Sequence, residues 1–190
     1  MVFKSFKECQ EYIKGDAFRY LGKEGGAFSL YFKVPGFKYT VWLRLCSYLC
    51  GRRSLLPLYA YAKYKHKKLS IKYGIQIPFG TVIGKGFYMG HYGGIVVNGN
   101  AIIGNNVNLS QGVTIGMSNR GERAGYPILR DNIYIGPGAK IVGRVLISSG
   151  VAIGANAVVT KDIPENAVVV GIPARVISFN GADKYVERTV

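Results

Sequence analysis

At 190 residues, 48% hydrophobic and 18% charged, the chain has the makings of one ordinary globular domain with at most a small appendage, and its composition excludes a disordered or collagen-like polymer. Lys and Arg number 25 against 10 Asp and Glu, a formal net charge of +15 that favours acidic partners: nucleic acid, anionic lipid, phosphorylated cofactors or acidic sugars. Three cysteines without CxxC spacing, Cys46 and Cys50 lying one helical turn apart, argue against a disulfide framework and for reduced thiols in a cytoplasmic setting.

The polar opening MVFKSFKECQEY has no apolar core of a secretory leader. Three helices are expected before residue 74: one ending at Gly22, one following Pro35-Gly36, and one over LPLYAYAKYKHKKLSIKYG. The apolar runs VWLRLCSYLC and SLLPLYAYA are too short to span a bilayer, and Arg52 and Arg53 separate them. Tyr and Phe recur through these helices with Lys and Arg on the other faces, and residues 25–121 contain no Asp or Glu. Two roles fit this segment. It is a cap over the end of the following domain with a solvated basic face. Alternatively, it touches an anionic membrane from the cytoplasmic side, through Trp42, Leu43, Leu45, Tyr48 and Leu49 and the cations from Lys38 to Lys72, Arg44 and Arg52 among them. His66, inside the lysine run, is expected to be solvated.

From Gly74 onward aliphatic residues recur every six positions. Ile77, Ile83 and Met89 form one series; Val97, Ile103, Leu109 and Ile115 a second; Leu129, Ile135, Ile141, Ile147, Ile153 and Val159 a third. Four residues after most of them stands a small or branched residue, such as Ala101, Val113 or Ala157, with Gly, Asn or Asp between. Neither a helical period of 3.6 nor a simple strand period of 2 gives this pattern. Short strands joined by tight turns do, three of them closing a triangular coil around an aliphatic column. The expected architecture is therefore mainly β: a helical segment over 1–73, a parallel β-helix over 74–177, and a tail over 178–190. The rhythm breaks twice. Met89 to Val97 is a step of eight that contains His91, and Ile115 to Leu129 is a step of fourteen that extrudes a polar loop over 117–126. Extra residues leave such a stack as loops, where function tends to sit.

The repeat, the loop after Ile115 and the ending VVTKDIPENAVVVGIPARVI together resemble the hexapeptide-repeat acyltransferases, in particular the serine acetyltransferase branch, over residues 74–177. The resemblance implies a left-handed coil, a homotrimer, and acetyl-CoA lying in the cleft between two subunits. It places His91 at the branch's catalytic histidine, with Gly116, Gly138, Ala139, Ala155, Thr160, Lys161 and Arg175 along the coenzyme. The match has gaps. Gly90 precedes His91 where the branch carries an acid, Gln76 stands where it carries an Asp, and Tyr126 where it carries a second histidine. The N-terminal segment is also shorter than the branch's. These departures argue against free serine and for a carbohydrate hydroxyl in capsule, exopolysaccharide or lipopolysaccharide synthesis, with serine O-acetylation as the alternative.

The residues fit acetyl transfer. An imidazole can take the hydroxyl proton as the oxygen attacks the thioester, and the repeat contains no Cys to act as a covalent nucleophile. Backbone N–H groups at Gly112 or Gly116 are candidates to hold the oxyanion, while Lys161 and Arg175 suit the phosphates of coenzyme A. A zinc site of three histidines is excluded by the single His of the repeat, so no metal is expected, and no motif supports specific nucleic-acid recognition.

Overall fold

The computed structural model describes residues 3–23 and 26–190; the first two residues of the N-terminal segment lie outside it. Four helices precede the repeat, one more than expected: α1 (Phe6–Leu21), α2 (Ala27–Lys33), α3 (Pro35–Leu49) and α4 (Leu56–Tyr73). Ser5 caps α1 by accepting from the Glu8 N–H at 3.1 Å, and Gly22 closes it in the left-handed region with φ 67°. Pro35 and Pro57 sit in the first turns of α3 and α4, where no backbone donor is lost. The extra helix, α2, has seven residues, too few for a helical period to register.

The repeat coils through three sheets of two- to four-residue strands. The first sheet holds Ile75–Gln76, Ile95–Val97, Thr114–Gly116, Lys140–Val142 and Val158–Val159. The second holds Val82–Ile83, Ile102–Ile103, Ile128–Leu129 and Leu146–Ile147. The third holds Asn108–Leu109, Tyr134–Ile135, Ala152–Ile153, Val168–Val170 and Arg175–Ser178. Every pairing is parallel except the last, between Val168–Val170 and Arg175–Ser178. The register explains the six-residue rhythm: Val97 pairs with Ile115, Ile115 with Ile141, and Ile141 with Val159. Every aliphatic residue of the three sequence series is buried in one continuous core. Each such side chain contributes about 1.5–3 kcal/mol of transfer free energy, so the column outweighs any single turn.

The outer faces differ. The chain end folds back on the third sheet, where Ala182 and Val186 pack against Ala152 and the Tyr185 ring stacks on Tyr134 at 4.4 Å. On the second sheet Val82, Ile102, Ile128 and Leu146 form an aligned aliphatic row with no such cover; all but the half-buried Ile128 are exposed.

The helices close the first turns of the coil. Tyr39 and Leu43 enter the coil's core, and the Tyr39 hydroxyl donates to the Ile77 carbonyl at 3.0 Å while accepting from the Ile77 N–H at 3.1 Å. Arg44 on α3 pairs with Asp16 on α1 through two bonds of 3.0 and 3.2 Å, both side chains 2% exposed or less. Its remaining donors reach the Ile83 and Gly84 carbonyls, and the Phe87 N–H donates to Asp16. The stripe expected to meet lipid is thus largely internal. Leu43 and Leu49 are buried, Arg44 is neutralised within the fold, and Arg52 is spent on the Phe3, Lys4 and Tyr48 carbonyls.

His66 is likewise not a solvated member of the lysine run. It faces inward from α4 between Tyr39 and Phe79, with ring centroids 4.9 and 6.2 Å away, and its Nε2 is buried without a hydrogen-bond partner among the described residues. Burial pushes its pKa down to about 4, against a backbone hydrogen bond at Ile77 that pulls it up. The unfolded chain takes up this proton near pH 6.5, the folded chain only near pH 4. Stability therefore falls as the pH drops through that window, by roughly 3 kcal/mol at its end. Urea titrations at pH 7 and pH 4.5 are expected to show this loss, and His66→Phe to remove its share; an unchanged acid sensitivity in His66→Phe overturns the assignment.

Candidate active site

His91 lies at the corner where the chain passes from the third sheet to the first, and its side chain is exposed beside the coil. The backbone that delivers it is fixed from the helical side. The Tyr20 hydroxyl of α1 accepts from the Met89 N–H at 2.9 Å and donates to the Met89 carbonyl at 3.0 Å. The Tyr20 ring packs tilted against Tyr88, with centroids 4.4 Å apart. A methyl group at Gly90 would stand 3.0 Å from the Tyr88 hydroxyl, so that phenol occupies the space a side chain at 90 would need. The position before His91 is thus closed off by a phenol where the branch carries an acid.

Below His91 the same corner repeats coil by coil. Gly112 donates its N–H to the Gly93 carbonyl at 2.8 Å, and Gly138 donates to Gln111 at 2.9 Å. Gly112 therefore has no free N–H for an oxyanion, which removes one of the two candidates. Gly138 has φ 74°, and any Cβ there would collide with the Asn156 side chain beneath it, so the turn itself demands glycine. Ala155 is exposed on this corner, but Ala139 is buried with its side chain in the aliphatic column, so only its backbone faces outward. Two residues here carry no sequence signal. Lys140 hydrogen-bonds the Gly112 carbonyl through Nζ, and Gln111 holds a buried Oε1 without a partner among the described residues.

The other expected site residues gather at the opposite edge, where the chain leaves the first sheet. Gly116 stands at the base of the extruded loop, where a Cβ would touch the Thr114 and Val142 side chains at 3.7 and 3.9 Å, and its N–H is taken up in the ladder with Lys140–Val142, which removes the second oxyanion candidate; Tyr126 is half-buried at the loop's end. Backbone bonds between Ser118 and Gly125 at 3.1 and 2.9 Å pin the loop, and Arg123 anchors it to Asp162 at 2.9 Å. The Leu146 N–H and then Arg123 hold the Asp162 carboxyl below its ordinary range. Farther along this edge Thr160, Lys161 and Arg175 line one groove of about 410 Å³ with Pro173 and Ala174. Gln76 is exposed on the outer face of the first sheet, in register with Val96. One chain therefore does not bring His91 and Tyr126 together: they flank the first sheet on opposite sides. Among the described residues no group of three His, Cys, Asp or Glu could hold a metal ion.

No protein-family model matches the chain. Curated relatives do. The serine acetyltransferase of Bacillus licheniformis is 39% identical over 132 residues, covering 64% of this chain and 61% of the relative. That of Haemophilus influenzae is 36% identical over 153 residues, covering 80% and 55%. A solved serine acetyltransferase in complex with cysteine is 31% identical, with a TM-score of 0.70 over 90% of this chain and 68% of its own. The chain belongs to the serine acetyltransferase family. Its coil is accordingly the left-handed β-helix of that family's structures. A family member from Brucella abortus in complex with coenzyme A aligns with a TM-score of 0.76 at 26% identity, over 91% of this chain and 69% of its own. The chain spans roughly half to three-fifths of the length of its curated relatives.

Membership overturns the expectation of a sugar acceptor in surface-polysaccharide synthesis. That expectation rested on Gln76, Gly90, Tyr126 and the short N-terminal segment. Relatives 35–41% identical are serine acetyltransferases, and solved neighbours are complexes with serine or cysteine. Three altered side chains change the polar partners in a pocket; they do not set its class against likeness over most of the chain.

Proposed function

We propose that this chain transfers the acetyl group of acetyl-CoA to the hydroxyl of serine, working as a homotrimer. Membership in the serine acetyltransferase family carries this reading, with relatives solved as complexes with serine and with coenzyme A. His91 takes the hydroxyl proton as the oxygen attacks the thioester carbonyl; the C–S bond then breaks and the proton passes to the coenzyme sulfur. Thr160, Lys161 and Arg175 receive the coenzyme in their shared groove. The trimer reading is supported by the split between the two edges of the first sheet. A cyclic arrangement sets the His91 edge of one copy against the loop edge of the next, closing a site that one chain leaves open. The aliphatic row Val82, Ile102, Ile128 and Leu146 lies beside the loop edge and gives such a contact apolar area.

The test is thiol release from acetyl-CoA with L-serine as acceptor. Saturable release with O-acetylserine as product is expected; release no faster than hydrolysis with L-serine present overturns the reading. In the same assay Lys161→Ala with Arg175→Ala is expected to raise KM for acetyl-CoA about tenfold, a loss of ~1.4 kcal/mol of binding, at nearly unchanged kcat. An unchanged KM removes the two cations from the coenzyme site.

A further inference from the structure

Once the inward-packing residues of the helical segment are set aside, a second surface remains. Phe28 and Phe32, one turn apart on α2, are 80% and 64% exposed with ring centroids 5.0 Å apart. Their patch continues across α3. Phe32 meets Tyr31 at 5.2 Å, the Trp42 indole donates to the Tyr31 hydroxyl at 2.9 Å, and Trp42 meets Tyr61 of α4 at 5.7 Å. Lysines are set among the rings: Lys38 lies 4.8 Å from the Tyr31 centroid and Lys65 lies 5.4 Å from that of Tyr61. Along α4 the strip runs on through exposed Tyr64, Lys68 and Ile71 at helical spacing. Every residue of this strip comes from the stretch 25–121, which contains no Asp or Glu.

From this strip we infer that the chain docks on the surface of an anionic phospholipid bilayer. Solvation accounts for lysines but not for two phenylalanines held in water on a short helix. Trp and Tyr are the side chains that settle at the level of lipid headgroups, with an apolar body and a polar tip. Lysines interleaved with them meet anionic headgroups, and the strip itself contributes no carboxylate to repel them. The contact lies on the membrane and does not cross it: among the described residues no helix is long and apolar enough to span one. In the proposed trimer, cyclic symmetry sets three copies at one level along the axis, so individually weak contacts add; this step alone rests on the trimer.

The experiment is cosedimentation of the full chain with phosphatidylcholine vesicles, with and without equimolar phosphatidylglycerol. Expected is binding to the anionic vesicles at low salt, little to neutral ones, and roughly tenfold less bound at about 0.5 M salt. Phe28→Ser with Phe32→Ser is expected to lose most of the binding while keeping the circular dichroism and acetyl-CoA turnover of the parent. Since neither residue belongs to the catalytic machinery, turnover reports on the proposed activity separately from docking. Absence of binding to anionic vesicles at low salt overturns the inference, as does full binding by the double variant. A parent of larger mass than the double variant in light scattering assigns the strip to a second copy of the chain and overturns it too. So does tight binding of a single-stranded oligonucleotide without vesicle binding.

Discussion

His91→Ala is expected to slow acetyl transfer by about 100-fold or more, the scale on which a positioned base contributes. The side chain stands in solvent beside the coil, so its loss leaves no cavity and no orphaned partner. The backbone on either side is held by Tyr20 at Met89 and by Gly112 at Gly93, neither of which involves the imidazole. The variant should therefore keep its fold, its oligomeric mass and its KM for acetyl-CoA, and lose kcat alone. That division separates a base from a structural residue. His91→Asn offers a hydrogen-bonding side chain of similar reach but no basic nitrogen, and is expected to be nearly as slow. Turnover near the parent's in His91→Ala would remove the histidine from the mechanism. Rescue of the variant by added imidazole would strengthen its role as base.

The coil was legible because a six-residue period leaves one inward position for each turn of chain. Ile77 through Val159 had to stack once the turns were tight, and both breaks in the rhythm mark the loops that carry His91 and Tyr126. The N-terminal segment was harder to read. α2 is shorter than two full helical periods, and α4 alternates Lys and Tyr so closely that no face declares itself. His66 was misread for that reason: a lysine run suggests solvent, but its own position on the helix faces Tyr39 and Phe79. At the site, local sequence named His91 but could not show what stands beside it. The Tyr20 clamp from α1 and the Lys140 bond to the Gly112 carbonyl are contacts between segments distant in sequence. The acceptor was not legible from Gln76, Gly90 and Tyr126, because a few local side chains change the polar partners in a site without setting its class.

Asp16→Ala is expected to lower stability by about 3–5 kcal/mol, the cost of leaving a buried guanidinium without its counter-charge. Arg44 joins three parts of the molecule: Asp16 on α1, its own helix α3, and the Ile83 and Gly84 carbonyls of the first coil. Asp16 in turn accepts from the Phe87 N–H at 2.8 Å. Burial raises the Asp16 carboxyl above its ordinary range, with the Arg44 charge and its hydrogen bonds pulling it back. Desolvation of two buried charges generally offsets much of their mutual attraction, whereas removing one partner leaves the other uncompensated. Losing one member is then far worse than losing both. Asp16→Ala combined with Arg44→Met buries no lone charge, though it leaves the carbonyls and the Phe87 N–H to relax, and is expected to recover a substantial part of the loss. Urea denaturation of the two single variants and the double variant measures the coupling directly. Additive losses would mean that the two side chains act independently, and that the joint between helices and coil is held by apolar packing around Tyr39 and Leu43.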